Sequence, residues 1–232
     1  SERKRVILSN IEGHRYKLDL PAAEPLGIVP KGRLTIDGDP AEAAGLKPIT
    51  TLDDGNWPSD GGLNSAAFHM TWSNEGLDLL VIVGDPGHGG ANDPGQLYRE
   101  DDIQFGIANG RPGAADHWAV IDFALTPGGP VAFIREYPQG DNEVIDIPLE
   151  IARDEANGKT VYEAHLPWSL LAITPPYDTI SVDAAIGNRG GTGSRGTTFW
   201  HNPYDNGEPP SGIFHNKSNR SFKWFELEGP TG

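Results

Sequence analysis

Apolar positions along this chain recur with a period of two over short runs, and turn residues separate the runs. Ala66-Ala67-Phe68-His69-Met70-Thr71-Trp72 alternates, Ser73-Asn74-Glu75-Gly76 turns, and Leu77 to Val83 returns before Gly84-Asp85-Pro86. This is a hairpin signature. Ile103, Phe105 and Ile107 alternate with Asp102, Gln104 and Gly106, which predicts a half-buried strand with one polar face. His117 to Leu125, Val131 to Tyr137 and Val144 to Ile147 read as further strands. Ile151 to Arg153 pairs with Val161 to Leu166 across the turn Glu155-Ala156-Asn157-Gly158. Ile180 to Gly187, Thr197 to Trp200 and Phe222 to Leu227 complete the set. Leu34-Thr35-Ile36 predicts a short strand running into an Asp37-Gly38 turn, and Thr51 to Leu63 reads as loop. Ala41 to Leu46 and Pro167 to Leu171 each suit one helical turn, the latter with proline at its start. The pattern predicts an all-β fold: an antiparallel β-sandwich with long loops and one or two short helical turns.

Composition agrees and adds boundaries. The 232 residues include 30 glycines and 20 prolines, which argue for many turns. Residues 1–29 read as an N-terminal arm or linker, with an edge strand at Arg15 to Leu20, and residues 30–232 as the sandwich. There is no cysteine, so disulfides, thiolate metal sites and cysteine nucleophiles are excluded. The chain carries 18 basic and 33 acidic residues, a formal net charge of −15. That balance repels phosphate backbones and anionic lipid, so nucleic acid and membrane insertion are not expected. No apolar run approaches membrane-spanning length, and Ser1 reads as the start of a mature or trimmed chain.

Candidate chemistry concentrates in Leu97-Tyr98-Arg99-Glu100-Asp101-Asp102-Ile103-Gln104. An aromatic ring beside hydrogen-bonding side chains suits a sugar: the ring covers the C–H face of a pyranose, and amides or guanidinium groups meet its hydroxyls. Asp85, Asp93, Asp101, Asp102 and Asp183 end strands or sit on loops, where carboxylates either hold calcium or cap turns. Gly191-Thr192-Gly193-Ser194-Arg195-Gly196 matches a dinucleotide-binding fingerprint, but a β-prone run follows it instead of a helix. The histidines lack catalytic zinc spacing. Asp101 and Asp102 are neighbours on a strand and point to opposite faces, so they do not form a glycosidase pair across a cleft.

The order Leu34-Thr35-Ile36-Asp37-Gly38, Thr71 to Leu77, Tyr98 to Gln104, Val161 to Leu171 and Phe199-Trp200 resembles the family 9 carbohydrate-binding modules of the DOMON-like β-sandwich superfamily. The resemblance implies a sugar slot between two aromatic rings, here Tyr98 and Trp200. It implies a hydroxyl-reading side chain six positions after the first aromatic, here Gln104. It also implies an asparagine ahead of the late tryptophan, for which Asn188, next to Arg189, is the candidate. His117, Trp118 and Asp122 lie in the strand that supplies further polar contacts, in a register ambiguous by one residue. Structural calcium is a further implication, with Asp85, Asp93, Asp102 and Asp183 as candidate Ca2+ ligands. Tyrosine stands where the family has tryptophan, glutamine where it has glutamate, and the tryptophan after the early Asp-Gly turn is missing.

The expected function is that of a non-catalytic polysaccharide- or oligosaccharide-binding module. It would be an accessory domain of an extracellular, secreted or cell-surface bacterial protein, with a covalently linked catalytic domain as partner. Two alternatives stand beside it. One is a haem-binding electron-transfer domain using Met70 with His165 or His117. The other is a small metal-dependent catalytic domain. Trp72, Trp168 and Trp224 are expected in the core, Trp57 at a rim, and Met70 reads most simply as core filler between Phe68 and Trp72.

Overall fold

A computed structural model describes residues 3–9, 15–21, 24–53, 65–90, 92–112, 115–137, 140–171, 173, 178–188, 196–199 and 222–229, with only the backbone at 3–9, 15–21, 50–53 and 196–199. Two sheets form the sandwich. The larger contains β3 (Gly27–Val29), β7 (Asp102–Asn109), β8 (Trp118–Thr126), β9 (Gly129–Tyr137), β10 (Asn142–Ile145), β13 (Thr179–Asn188), β14 (Gly196–Phe199) and β15 (Lys223–Leu227). Its order is β10-β9-β8-β7-β13-β15-β3, with β14 also paired to β13. The smaller contains β4 (Thr50–Asp53), β5 (Ser65–Trp72), β6 (Gly76–Gly84), β11 (Leu149–Asp154) and β12 (Lys159–Pro167), in the order β11-β12-β6-β5-β4. Every pairing is antiparallel except that of β15 with β3. Separately, β1 (Arg3–Ser9) pairs with β2 (Arg15–Pro21).

Alternation decides what each face buries. Phe68, Met70, Trp72 and Leu79 from the smaller sheet meet Ile103, Phe105, Ile107 and Ile121 from the larger. Each fully buried side chain of this kind contributes about 1.5–3 kcal/mol. Trp72 and Trp168 lie in this core as expected. Trp224 is buried too, but on the outer side of β15, under the Arg111 guanidinium at 4.4 Å. Met70 faces the core, whereas His165 faces outward and bonds Asp78 (Nδ1 to Oδ1, 2.5 Å), and His117 pairs with Glu136. Met70 and His165 therefore lie on opposite faces of one sheet and cannot be axial partners of one haem.

Three local expectations change. Leu34 to Ile36 is extended but joins no ladder, because side chains capture its amides. Asp78 accepts from Leu34 N (2.9 Å) and Glu42 from Thr35 N (2.9 Å). Thr51 to Asp53, read as loop, belongs to the edge strand Thr50–Asp53 on β5. Gly27–Val29, assigned to the arm, adds to the larger sheet.

Residues 33–46 cross the outer face of the smaller sheet as a strap. Leu34, Ile36, Ala43 and Leu46 cover Leu80, Ile82 and Val161. Asp39 caps the short 3₁₀ turn Pro40–Gly45. The strap is pinned at the Asp37-Gly38 turn, where the buried Glu163 accepts from Asp37 N (2.8 Å) and Gly38 N (2.6 Å) through one oxygen. Gly38 takes φ +80°, and a Cβ there would stand 3.0 Å from Ala152. Removing the acceptor leaves two amides without a partner, at about 1–3 kcal/mol each. Glu163→Ala is expected to lower the unfolding free energy by about 2–4 kcal/mol in urea, and Glu163→Gln, which keeps an oxygen, by clearly less. Equal losses in the two variants would show that the carboxylate–amide contact is not what holds the strap.

Candidate functional site

The polar face of β7 meets the outer side of the larger sheet. With Ile103, Phe105 and Ile107 turned to the core, Asp102, Gln104 and Gly106 turn outward. Gln104 pairs directly with Asp122 of β8, and Asp122 with Phe133 of β9. This resolves the ambiguous register: Trp118, Val120 and Asp122 face outward, and Ala119, Ile121 and Phe123 inward.

Two polar pairs sit side by side on this face. Gln104 Nε2 donates to Asp102 Oδ2 at 3.0 Å. Arg135 donates to Asp122 Oδ2 from Nη2 at 2.8 Å and from Nε at 3.3 Å. The same guanidinium lies 4.6 Å from the Phe133 ring centre and 5.8 Å from that of Tyr98, and it reaches the Gly95 carbonyl at 3.5 Å. Asp102, Gln104 and Asp122 are buried, while Tyr98 and Arg135 are half-buried. The face is thus covered at its base and accessible at Tyr98 and Arg135.

Tyr98 does not open the strand as expected. It belongs to a second 3₁₀ turn, Pro94–Arg99, capped by Asp93, which accepts from Gly95 N at 2.9 Å. Leu97 anchors that turn on Ala124 and Phe133, which suspends Tyr98 over Arg135. The Tyr98 hydroxyl donates to Gln96 Oε1 at 3.2 Å and accepts from Arg99 Nε at 3.3 Å. Gly187 stands opposite Asp102 on β13, and a Cβ there would overlap the Asp102 carboxylate.

Of the expected sugar-contact residues, the structure brings Tyr98, Gln104 and Asp122 together. His117 lies just before β8, five residues or about 17 Å along the strand from Asp122, against Glu136 at 3.5 Å. Asn188 ends β13 and is buried on the parity of Ile186 and Ala184, which is the inward one. Arg189, Trp200 and Trp57 lie outside the described residues. Arg135 was missed, although an arginine and an aspartate in two otherwise apolar strands of one hairpin signal a diagonal cross-strand pair.

Each calcium candidate accepts a hydrogen bond from the protein, and Asp85, Asp101 and Asp102 all lie near enough to act on the Tyr162 phenol. Asp93 caps the 3₁₀ turn, Asp85 accepts from Gly87 N (2.9 Å), Asp102 holds the Gln104 amide, and Asp183 accepts from Ala184 N (2.9 Å). Among the described residues no three acidic or histidine side chains form a group able to hold a metal ion.

Burial pushes the Asp122 carboxyl up to about 6, with the Arg135 charge opposing the shift. Burial raises the Tyr137 phenol as well, and Arg135 again opposes it. Tyr162 is raised by burial and then by the Asp101, Asp102 and Asp85 carboxylates.

Among solved structures, the fold matches that of family 9 carbohydrate-binding modules. One such module from Caldicellulosiruptor kristjanssonii, in complex with cellotriose, aligns with TM-score 0.58 at 17% identity over 88% of this chain and 94% of its own. The same family's module from that organism in complex with glucose aligns with TM-score 0.55 at 17% identity, over 88% of this chain and 96% of its own. A Bacteroides uniformis protein provisionally described as carbohydrate-binding aligns with TM-score 0.58 at 10% identity, over 87% of this chain and 98% of its own. No family model matches the chain, and no curated protein matches it by sequence. The likeness is one of fold.

Arg135→Met strands Asp122 as a buried charge without its partner. The folded carboxyl already titrates above its ordinary value of 3.8, so its contribution is most favourable below about pH 4 and is lost as pH rises through about 6. The variant is expected to lose about 3–5 kcal/mol at pH 8 and distinctly less at pH 5, where Asp122 takes up a proton. Urea unfolding at the two pH values reads this difference. A loss that does not change with pH would mean that the Asp122 charge is not responsible.

Proposed function

We propose that this chain is a non-catalytic carbohydrate-binding module that takes a polysaccharide or oligosaccharide on the outer face of its larger sheet. Tyr98 supplies the aromatic platform and Arg135 the accessible hydrogen-bond donor, with Asp122 holding Arg135 and Leu97 anchoring the turn that carries Tyr98. The observation that carries the reading is this pairing of a half-buried tyrosine with a guanidinium, on a fold whose solved neighbours hold cellotriose and glucose. A pyranose needs both parts: a ring for its C–H face and fixed donors for its hydroxyls. Trp200 is the second aromatic of the slot in this reading. The module works as an accessory domain of a secreted or cell-surface bacterial protein and tethers a linked catalytic domain to its substrate.

Isothermal titration with a panel of neutral oligosaccharides, cellotriose and glucose included, tests the platform. Tyr98→Ala and Trp200→Ala are each expected to weaken binding about tenfold, the worth of one aromatic contact of roughly 1.5 kcal/mol. Wild-type affinity in both variants would sink the slot.

A further inference from the structure

The N-terminal ribbon β1–β2 joins neither sheet of the sandwich. Its register places Val6, Leu8, Tyr16, Leu18 and Leu20 on one face, with Lys4 at the end of that face. Arg3, Arg5, Arg15 and Lys17 lie on the other. Residues 3–21 hold five of the chain's 18 basic residues and only two of its 33 acidic ones. A two-stranded ribbon is marginally stable at best by itself in water, so this one needs a further surface. The opposite chemistry lies at the far edge of the larger sheet. There β10 is the last strand, and among the described residues it pairs with β9 alone. Asn142, Glu143 and Val144 are exposed. A groove of about 460 Å³ lies between the β9–β10 edge and β11, where Ile145, Ile147 and Leu149 pack on the core but stay partly exposed. Residues 140–150 carry Asp141, Glu143, Asp146 and Glu150 and no basic side chain.

We infer that the ribbon of one copy of this chain pairs through β1 with the β10 edge of a second copy. Both strands are open edges, and β1 contains no proline to interrupt a ladder. Their charges are opposite. Two chains of net charge −15 repel each other, so contact between copies is favoured where a basic patch meets an acidic one. Two β10 edges would instead set Glu143 and Asp146 against their own counterparts. The tether excludes pairing within one chain. Six steps separate Pro21 from Gly27, a reach of at most about 22 Å, and the β1–β2 pairing adds about 5 Å to Arg3. A strand beside β10 lies seven spacings from β3, about 34 Å. In the paired state the apolar face of the ribbon continues the inner side of the larger sheet, over the groove. The basic residues, one strand spacing away, lie within a Debye length of the acidic rim, about 8 Å. The contact is heterologous: donor and acceptor are different surfaces, so each copy gives its ribbon and takes another.

Sedimentation equilibrium on the intact chain tests this. The weight-average mass is expected to rise with concentration, to at least about twice that of the monomer. Two charge-reversed variants read the two surfaces separately. One combines Arg3→Glu with Arg5→Glu on the ribbon. The other combines Glu143→Lys with Asp146→Lys on the edge, where both side chains are exposed. Each variant alone is expected to stay monomeric. Mixed at equal concentration, the two are expected to associate again, because each then meets a surface of opposite charge on the other. Self-association of the edge variant alone would mean contact between ribbons and overturns the inference. A mixture that stays monomeric overturns it as well. A wild-type chain that stays monomeric at every concentration overturns it whether or not the variants fold.

Discussion

The outer face of the larger sheet depends on one buried ion pair, Asp122 with Arg135. A carboxylate with no exposed surface costs several kcal/mol to desolvate, and here a counter-charge at hydrogen-bond distance offsets that. The arginine that supplies it must lie along β9 from a diagonal position, with its plane against Phe133. That placement brings the guanidinium to the Gly95 carbonyl and under Tyr98. The 3₁₀ turn carrying Tyr98 is thus tied to the sheet by Leu97 in the apolar cluster and by Arg135 through its backbone. If the pair is removed, the turn loses its polar anchor and the platform loses its orientation.

The smaller sheet solves the same problem differently. Its outer face also carries buried carboxylates, Asp78 and Glu163, but backbone amides of the strap engage them, with His165 and, at 3.7 Å, Arg33 also beside Asp78. Both sheets therefore have their outer faces covered. This is why β5, β6, β7 and β12 are buried almost throughout, although their sequences alternate polar and apolar residues. In a chain of net charge −15, these acids are not simply surface solvation. Several of them are structural acceptors.

Alternation made the sandwich legible, because a period of two together with turn residues is a local signal that tertiary context rarely overrides. Local signals fail where a backbone group finds its partner far away. Leu34 to Ile36 has the residue types of a strand, yet its amides and those of the following turn go to Asp78 and Glu163, 44 and 126 positions distant. The turn at Tyr98 was readable in principle: Asp93-Pro94 is a cap followed by a proline at the first helical position. It was masked by the acidic strand that begins immediately after it. Gln104 is legible from the period of two, Tyr98 from the family resemblance, and Asp122 only once the β7–β8 pairing fixes its register. Arg135 is not legible, because its contact with Asp122 arises from a diagonal pairing across the β8–β9 hairpin. A linear reading does not score such pairings.

The same accounting bears on whether the face binds or catalyses. Glycoside hydrolysis by the usual route needs two carboxyl groups facing each other across a substrate cleft, both free to act on it. Here Asp102 holds the Gln104 amide, Asp122 holds Arg135, and Asp101 accepts from Gly89 N. Asp101 and Asp102 are neighbours in sequence, at the mouth of β7, rather than partners across a gap. Among the described residues this face includes the half-buried Tyr98 and Tyr137 and one arginine, Arg135, paired with Asp122. Such a surface offers contact area and hydrogen bonds. That suits a neutral ligand, in which hydroxyls and C–H faces are all there is to recognise.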